Sequence, residues 1–282
     1  MGSGSTRCRP SRSACGRAAE KAVYGQTTDG ADVTNGARDG ASYDVSPGVP
    51  HVWLVDVGSP TFLELGRRPN LVTDGLVSEE DDQRASSFLD PEAGDRLRAR
   101  RVILRMILGR YLACAPTDVG VVTAPGGKPV LLPGTAGAAT HAFSVGHSGD
   151  LYAIAVGRCS SLGLDIERLR SVGRATSIAE RWFGPEEASS LQSLTGEALD
   201  LAFMELWTDK EALAKRHGAG LRLMHGQADV PEVHSELDVG RERAAARLLR
   251  IHPGSGYVGA IASSEPVAGV DLVNEGDPRW II

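Results

Sequence analysis

Between Val119 and Ile166 the chain runs through five short stretches suited to β-strands: Val119–Thr123, Pro129–Leu132, Ala142–Val145, Leu151–Val156 and Leu162–Ile166. Gly126-Gly127 and the Gly/Ala/Thr-rich run 134–140 supply turns between them. Helical stretches lie on either side rather than between successive strands. Segregation of this kind excludes a regular βαβ alternation and specifies an α+β fold. His51–Val57 (HVWLVDV) predicts a further strand at the start of the ordered region.

The helix boundaries carry their own chemistry. Ser78 ahead of Glu79, Glu80 and Asp81 marks one start, with acids favoured by the helix dipole. Asp90 as N-cap with Pro91 in the first helical position opens a longer helix reaching about Leu112. Helices are predicted again over about 175–183, 185–194 and 197–217, the last ended by Gly218. From there to Ile282 the sequence reads as strands, Gly256–Ala262 most clearly.

Composition narrows the class of partner. Hydrophobic residues at 41% and charged residues at 23% describe a chain able to bury a core, and no window approaches a membrane span of roughly 18 apolar residues. No apolar signal segment follows the start, so a cytoplasmic protein without membrane attachment is expected. A net charge of −6 argues against nucleic acid as partner, but leaves room for a small polyanion held by a local basic cluster. Of 30 basic residues only Lys21, Lys128, Lys210 and Lys215 are lysines. Cys8, Cys15, Cys114 and Cys159 form no CxxC pair, which points to free thiols in a reducing compartment. Residues 1–50 are small, polar and poor in bulky apolar side chains, and are expected to be a disordered extension, with a transit peptide as the alternative.

Several residues could carry chemistry, each against a plainer reading. Arg101 falls within the apolar stripe of Leu97, Leu104, Leu108, Tyr111 and Leu112. Its head either snorkels to water or meets an anion at the edge of the core. Gly126-Gly127-Lys128-Pro129 is a turn signal that could also present a lysine to phosphate. His147 and Ser148 are placed in a loop after a strand, as a plain turn or as binding groups. Strand alternation puts Asp165 and Glu167 on one face, as a solvated edge or as hard oxygen ligands for Mg²⁺ or Mn²⁺. Glu211 and Lys215, four apart on a helix, form a surface ion pair or add a third carboxylate and a phosphate-binding lysine. Lys210 projects into an apolar stripe with no evident role.

Taken in order, GGKP, SVGHSGDLYAIAV, GLDIE and F-x-x-x-W-T-x-K-E-A-x-x-K-x-x-G-x-G-L resemble the 4′-phosphopantetheinyl transferase superfamily, in its long surfactin-type class. The resemblance covers about residues 51–265. It implies two similar α+β halves, 51–160 and 161–282, related by a pseudo-twofold with the active site in the cleft between them. It further implies transfer of the phosphopantetheine arm of coenzyme A to a serine of an apo acyl or peptidyl carrier protein, with Mg²⁺ and release of 3′,5′-ADP, by a monomer. Asp165 and Glu167 would then be metal ligands, and Glu211 a third ligand or the base for the carrier serine. Lys215 would meet the coenzyme A phosphates. Lys128 with Pro129, His147, Ser148 and Arg101 would complete coenzyme A binding. Gly146 stands where the family has serine, and Arg98 and Arg100 match its basic residues least well. A non-catalytic coenzyme A-binding protein and a metal-dependent nucleotide hydrolase are the competing readings.

Overall fold

The computed structural model describes residues 43–218 and 238–274, together with Met1. A first strand, β1 (His51–Asp56), leads to helices α1 (Pro60–Arg67), α2 (Glu79–Ser86) and α3 (Pro91–Leu112). After a 3₁₀ turn at Pro116–Asp118 come the hairpin β2 (Val121–Thr123) and β3 (Pro129–Leu131), then β4 (Ala142–Ser148), β5 (Leu151–Gly157) and β6 (Leu162–Arg168). Helices α4 (Ala175–Trp182), α5 (Pro185–Leu191) and α6 (Gly196–His217) follow. The described chain closes with α7 (Val239–Ala244), β7 (Leu248–Ile251), β8 (Tyr257–Ser263) and β9 (Asp271–Val273). The α+β class read from strand clustering holds.

Two sheets organise these elements, one ordered β4-β5-β1-β9 and the other β6-β8-β7. In the first, β5 lies antiparallel between β4 and β1; in the second, β8 lies antiparallel between β6 and β7. Each thus has its last antiparallel strand at the centre, flanked by the strand that opens the series and the one just before it. Residues 271–273, far along the chain, add β9 in parallel to β1. β1 is buried on both faces: Trp53 and Val55 join one apolar cluster with α3, while Val52 and Leu54 join another with β6 and β8. This is why its apolar run is continuous instead of alternating.

The helix caps follow the sequence signals. Asp90 accepts the Glu92 amide at 3.0 Å with Pro91 at the head of α3, and Ser78 accepts the Asp81 amide at 3.1 Å. Gly218 ends α6 at φ 73°, a left-handed conformation that glycine adopts without strain. Helix α1 escaped the apolar periodicity, being only eight residues long, although Ser59-Pro60 is an N-cap and first-turn signal in plain view. The expectation of strands alone after Gly218 is corrected by α7, which Asp238 caps by accepting the Arg241 amide. Order also reaches back beyond His51: Val45 is fully buried, and Tyr43 packs edge-on against Trp53. The remainder of the expected disordered extension lies outside the described residues, as do Cys8 and Cys15. Cys114 and Cys159 are free thiols, and no described helix is long and apolar enough to cross a membrane.

One close approach sets the position of α6. A Cβ at Gly163 would overlap the Ala212 carbonyl oxygen and crowd the Arg216 amide, so only glycine lets the helix backbone rest directly on β6. Ion pairs then fix its flank: Asp209, fully buried, is held by Arg243 and Arg250, while Arg216 pairs with Glu242. Gly163→Ala should destabilise the fold by ~3 kcal/mol, at the upper end of overpacking costs. Gly240→Ala, where the added Cβ meets only Asp238 Oδ1 at 3.4 Å, should be neutral or slightly stabilising. Urea unfolding of the two variants checks the contrast.

Candidate functional site

Seating α6 on β6 brings the acidic strand motif against the last turns of the helix. Leu162, Leu164 and Ile166 point into the core, which leaves Gly163, Asp165 and Glu167 on the opposite face. Asp165 is only 7% exposed, which rules out a solvated strand edge. Lys215 Nζ donates to Asp165 Oδ1 at 2.8 Å and to the carbonyls of Leu164 at 3.0 Å and Val145 at 3.3 Å. The surface ion pair between Glu211 and Lys215 is also corrected. Glu211 is 7% exposed, and its carboxylate faces Asp165, Glu167 and the Lys215 ammonium.

The other strand-borne groups come from β4. His147 and Ser148 are residues of that strand, not of a loop: they pair with Tyr152 and Leu151, and the turn is confined to Gly149 and Asp150. Ser148 Oγ donates to Glu167 Oε2 at 2.7 Å and accepts the Arg168 amide at 3.1 Å, tying β4 to β6. Gly146 lies opposite the same strand, and a Cβ there would sit 3.3 Å from the Ile166 nitrogen, a tight fit. At the turn of the β2–β3 hairpin, Lys128 Nζ donates to the Leu162 carbonyl at 2.6 Å, with Pro129 opening β3 behind it.

Charge is concentrated here at a cost. Burial first, and then the Asp165 and Glu167 charges, push Glu211 up to about 7. Burial likewise raises Asp165 to about 6 against the opposing pull of Lys215. Burial lowers Lys128 to about 8, and the nearby Lys215 ammonium adds to the shift. Carboxylates whose pKa is raised by neighbouring carboxylates are short of positive charge. Among the described residues no three His, Cys, Asp or Glu side chains are gathered closely enough to hold a metal as they stand, and Lys215 occupies Asp165 Oδ1. Asp165 Oδ2, buried with no hydrogen-bond partner, and an all-carboxylate donor set nevertheless fit a hard divalent cation such as Mg²⁺.

Of the residues expected to bind an anion, Arg101 is ion-paired to Asp81 at 2.9 Å and joins α3 to α2. Arg100, the neighbour with the weaker match in sequence, stands closer to the site. Desolvation and the Arg100 charge together lower the His147 pKa, and Arg84 and Arg96 lie near Arg100 in turn. A cluster of arginines from two helices beside a histidine strand is not visible in spacing alone; a repulsive basic run on α3 was its only trace. Lys210, without a role in the sequence, reaches Glu187 Oε2 at 2.8 Å, and the same oxygen accepts the Gly184 amide at the start of α5.

Comparison with known proteins bears on this geometry. The profile of the 4′-phosphopantetheinyl transferase superfamily matches residues 161–258, the span that holds β6 and α6. The 4′-phosphopantetheinyl transferase HetI of Nostoc sp. is 32% identical over 212 residues, covering 75% of this chain and 86% of that protein. The chain belongs to the 4′-phosphopantetheinyl transferase superfamily. Within it, slr0495 of Synechocystis sp. is 30% identical over 172 residues, 61% of this chain and 66% of that one. The 4′-phosphopantetheinyl transferase Sfp of Bacillus subtilis is 27% identical over 212 residues, 68% of this chain and 90% of its own length. Superfamily membership makes the chain a transferase that draws on coenzyme A. The motif residues Gly220 and Leu221 lie outside the described residues.

The hydrogen bond from Lys215 yields a direct test. In metal-free Lys215→Met the Asp165 carboxyl loses the group that opposes burial, so it should titrate above 6. Carboxyl ¹³C shifts followed against pH measure this, and an unchanged or lower midpoint would contradict the pairing.

Proposed function

We propose that the chain transfers 4′-phosphopantetheine from coenzyme A to the serine of an apo acyl or peptidyl carrier protein, as a monomer of the long surfactin-type class in the cytoplasm. The observation that carries the reading is the meeting of Asp165, Glu167 and Glu211 with Lys215 on one face of β6. The long class is supported by the extent of the match to Sfp, 90% of that protein, and by the full set of elements that precedes β6. The matching strand orders of the two sheets support two halves, about 51–160 and 161–282, related by a pseudo-twofold with the site between them.

Asp165 and Glu167 would hold Mg²⁺, or Mn²⁺ in its stead, with Glu211 as a third ligand or as the base. When bound, the ion supplies charge neutralisation and Lewis-acid activation at the pyrophosphate. Everything else falls to side chains that position and neutralise, which is what phosphoryl-type transfer requires. Lys215, released from Asp165, meets the coenzyme A phosphates. Lys128, Pro129, His147 and Ser148 hold the nucleotide end, with Arg100 beside His147. Arg101 joins them by exchanging Asp81 for phosphate. In the transfer the serine oxygen bonds to the phosphorus nearer the pantetheine, and the bond from that phosphorus to the bridging oxygen breaks. 3′,5′-ADP departs, and the serine proton passes to a carboxylate base, Glu211 where it is not a ligand.

Intact-mass measurement of apo carrier proteins incubated with the protein, coenzyme A and Mg²⁺ should show the added phosphopantetheine. Coenzyme A binding without any mass gain would mark a non-catalytic binder, and release of 3′,5′-ADP with no carrier present would mark a hydrolase. Asp165→Asn should abolish transfer, whereas Lys128→Ala should weaken coenzyme A binding ~10–100-fold, the loss of a charge-assisted phosphate contact. Glu211→Gln separates ligand from base: lost metal affinity by calorimetry assigns the first, and retained affinity with lost transfer the second.

Lys128 also gives a pH signature. Its ammonium is charged below about 8 in the free protein. Coenzyme A affinity should therefore be full below that pH and fall by about tenfold per unit above it. Lys128→Arg, which keeps its charge throughout, should flatten this slope.

A further inference from the structure

Arg105, on α3, is a cation that the proposed transfer does not use. It is 6% exposed, its Nη1 is buried with no hydrogen-bond partner, and burial lowers its pKa. Asp81, the carboxylate whose charge acts on Arg105, is already ion-paired to Arg101, whose own charge opposes that of Arg105. Arg105 lines an open cleft of about 350 Å³ between the start of α2, the 3₁₀ turn and the base of the β2–β3 hairpin. Val77, Val121 and Leu132 give that cleft an aliphatic wall, and Thr117 and Glu79 stand among its polar groups. None of these residues belongs to the charged cluster on β6, and the hairpin that walls the cleft at its base carries Lys128 at its far end.

We propose that this cleft binds a small aliphatic monocarboxylate, with its carboxylate on Arg105 and its hydrocarbon body along Val77, Val121 and Leu132. A guanidinium donates two parallel hydrogen bonds to a carboxylate, and Nη1, closed to solvent as the side chain stands, would turn toward the cleft to make one of them. A pocket with apolar walls and one convergent polar group is the usual form of a small-molecule site. The single positive charge, with Glu79 at the cleft and Asp81 nearby, selects one negative charge over two.

Thermal unfolding of the full chain in millimolar hexanoate, with hexan-1-ol and hexylamine as matched probes, tests the site. Ligand that binds only the folded state raises the melting temperature with its concentration. Hexanoate should do so and the other two should not. The shift should vanish in Arg105→Met, and in Thr117→Glu, which sets a carboxylate at the cleft and should itself raise the ligand-free melting temperature. Equal shifts from hexanoate and hexan-1-ol would overturn the proposal, leaving an apolar cleft with no selection for charge. So would a hexanoate shift that survives in the variants, or no shift at all. Should Arg105→Met not fold, Thr117→Glu decides alone. Transfer to carrier proteins is measured separately, so failure here leaves the transferase reading untouched.

Discussion

The site depends on one backbone contact, that of α6 on β6 at Gly163. The helix carries Glu211 and Lys215 and the strand carries Asp165 and Glu167, so the distance between the two elements sets the distance between the groups. A side chain at 163 would lift the helix by the thickness of a methyl group and open the Lys215–Asp165 hydrogen bond.

Gathering those groups has an electrostatic cost that the rest of the molecule offsets. Glu211 is held above its ordinary pKa by burial and the Asp165 and Glu167 charges, Asp165 by burial and the Glu167 charge, and Lys128 below its own by burial. A site stressed toward neutrality binds opposite charge with more gain than a relaxed one. Anchoring comes from elsewhere. Asp209, on the far side of α6 from Glu211 and Lys215, is clasped by Arg243 and Arg250, and the neighbouring Lys210 is pinned to Glu187. Helix α6 is therefore fixed away from its Glu211–Lys215 face, and that face need not contribute stability.

Much of this was legible in the letters, and the misses have physical causes. Period-two alternation placed Asp165 and Glu167 on one face, and capping chemistry located α3 and the end of α6. Alternation could not tell a solvated face from one covered by a helix, because Gly163, the residue that admits the helix, reads as a turn former in a linear sequence. His147 and Ser148 looked like loop residues since Gly146 and Gly149 bracket them. In the structure the first glycine serves interstrand proximity and only the second serves the turn. Arg101 was singled out by its place in an apolar stripe, but its partner Asp81 belongs to another helix and leaves no trace in spacing. Position along one element is readable from sequence; contacts between elements, even one admitted by a glycine such as Gly163, are not.

The pairing of β9 with β1 bears on how such a molecule is assembled. His51 meets Asp271 and Trp53 meets Val273, so the first strand among the described residues is completed by the last of them. Closing so long a loop adds little to the equilibrium cost, which grows only with the logarithm of its length. The delay is kinetic: the exposed edge of β1, apolar on both faces, must wait for residues synthesised far later. During that interval the half-built sheet has an unpaired edge open to other chains. The chain is therefore most open to aggregation before β9 docks, whatever its final stability.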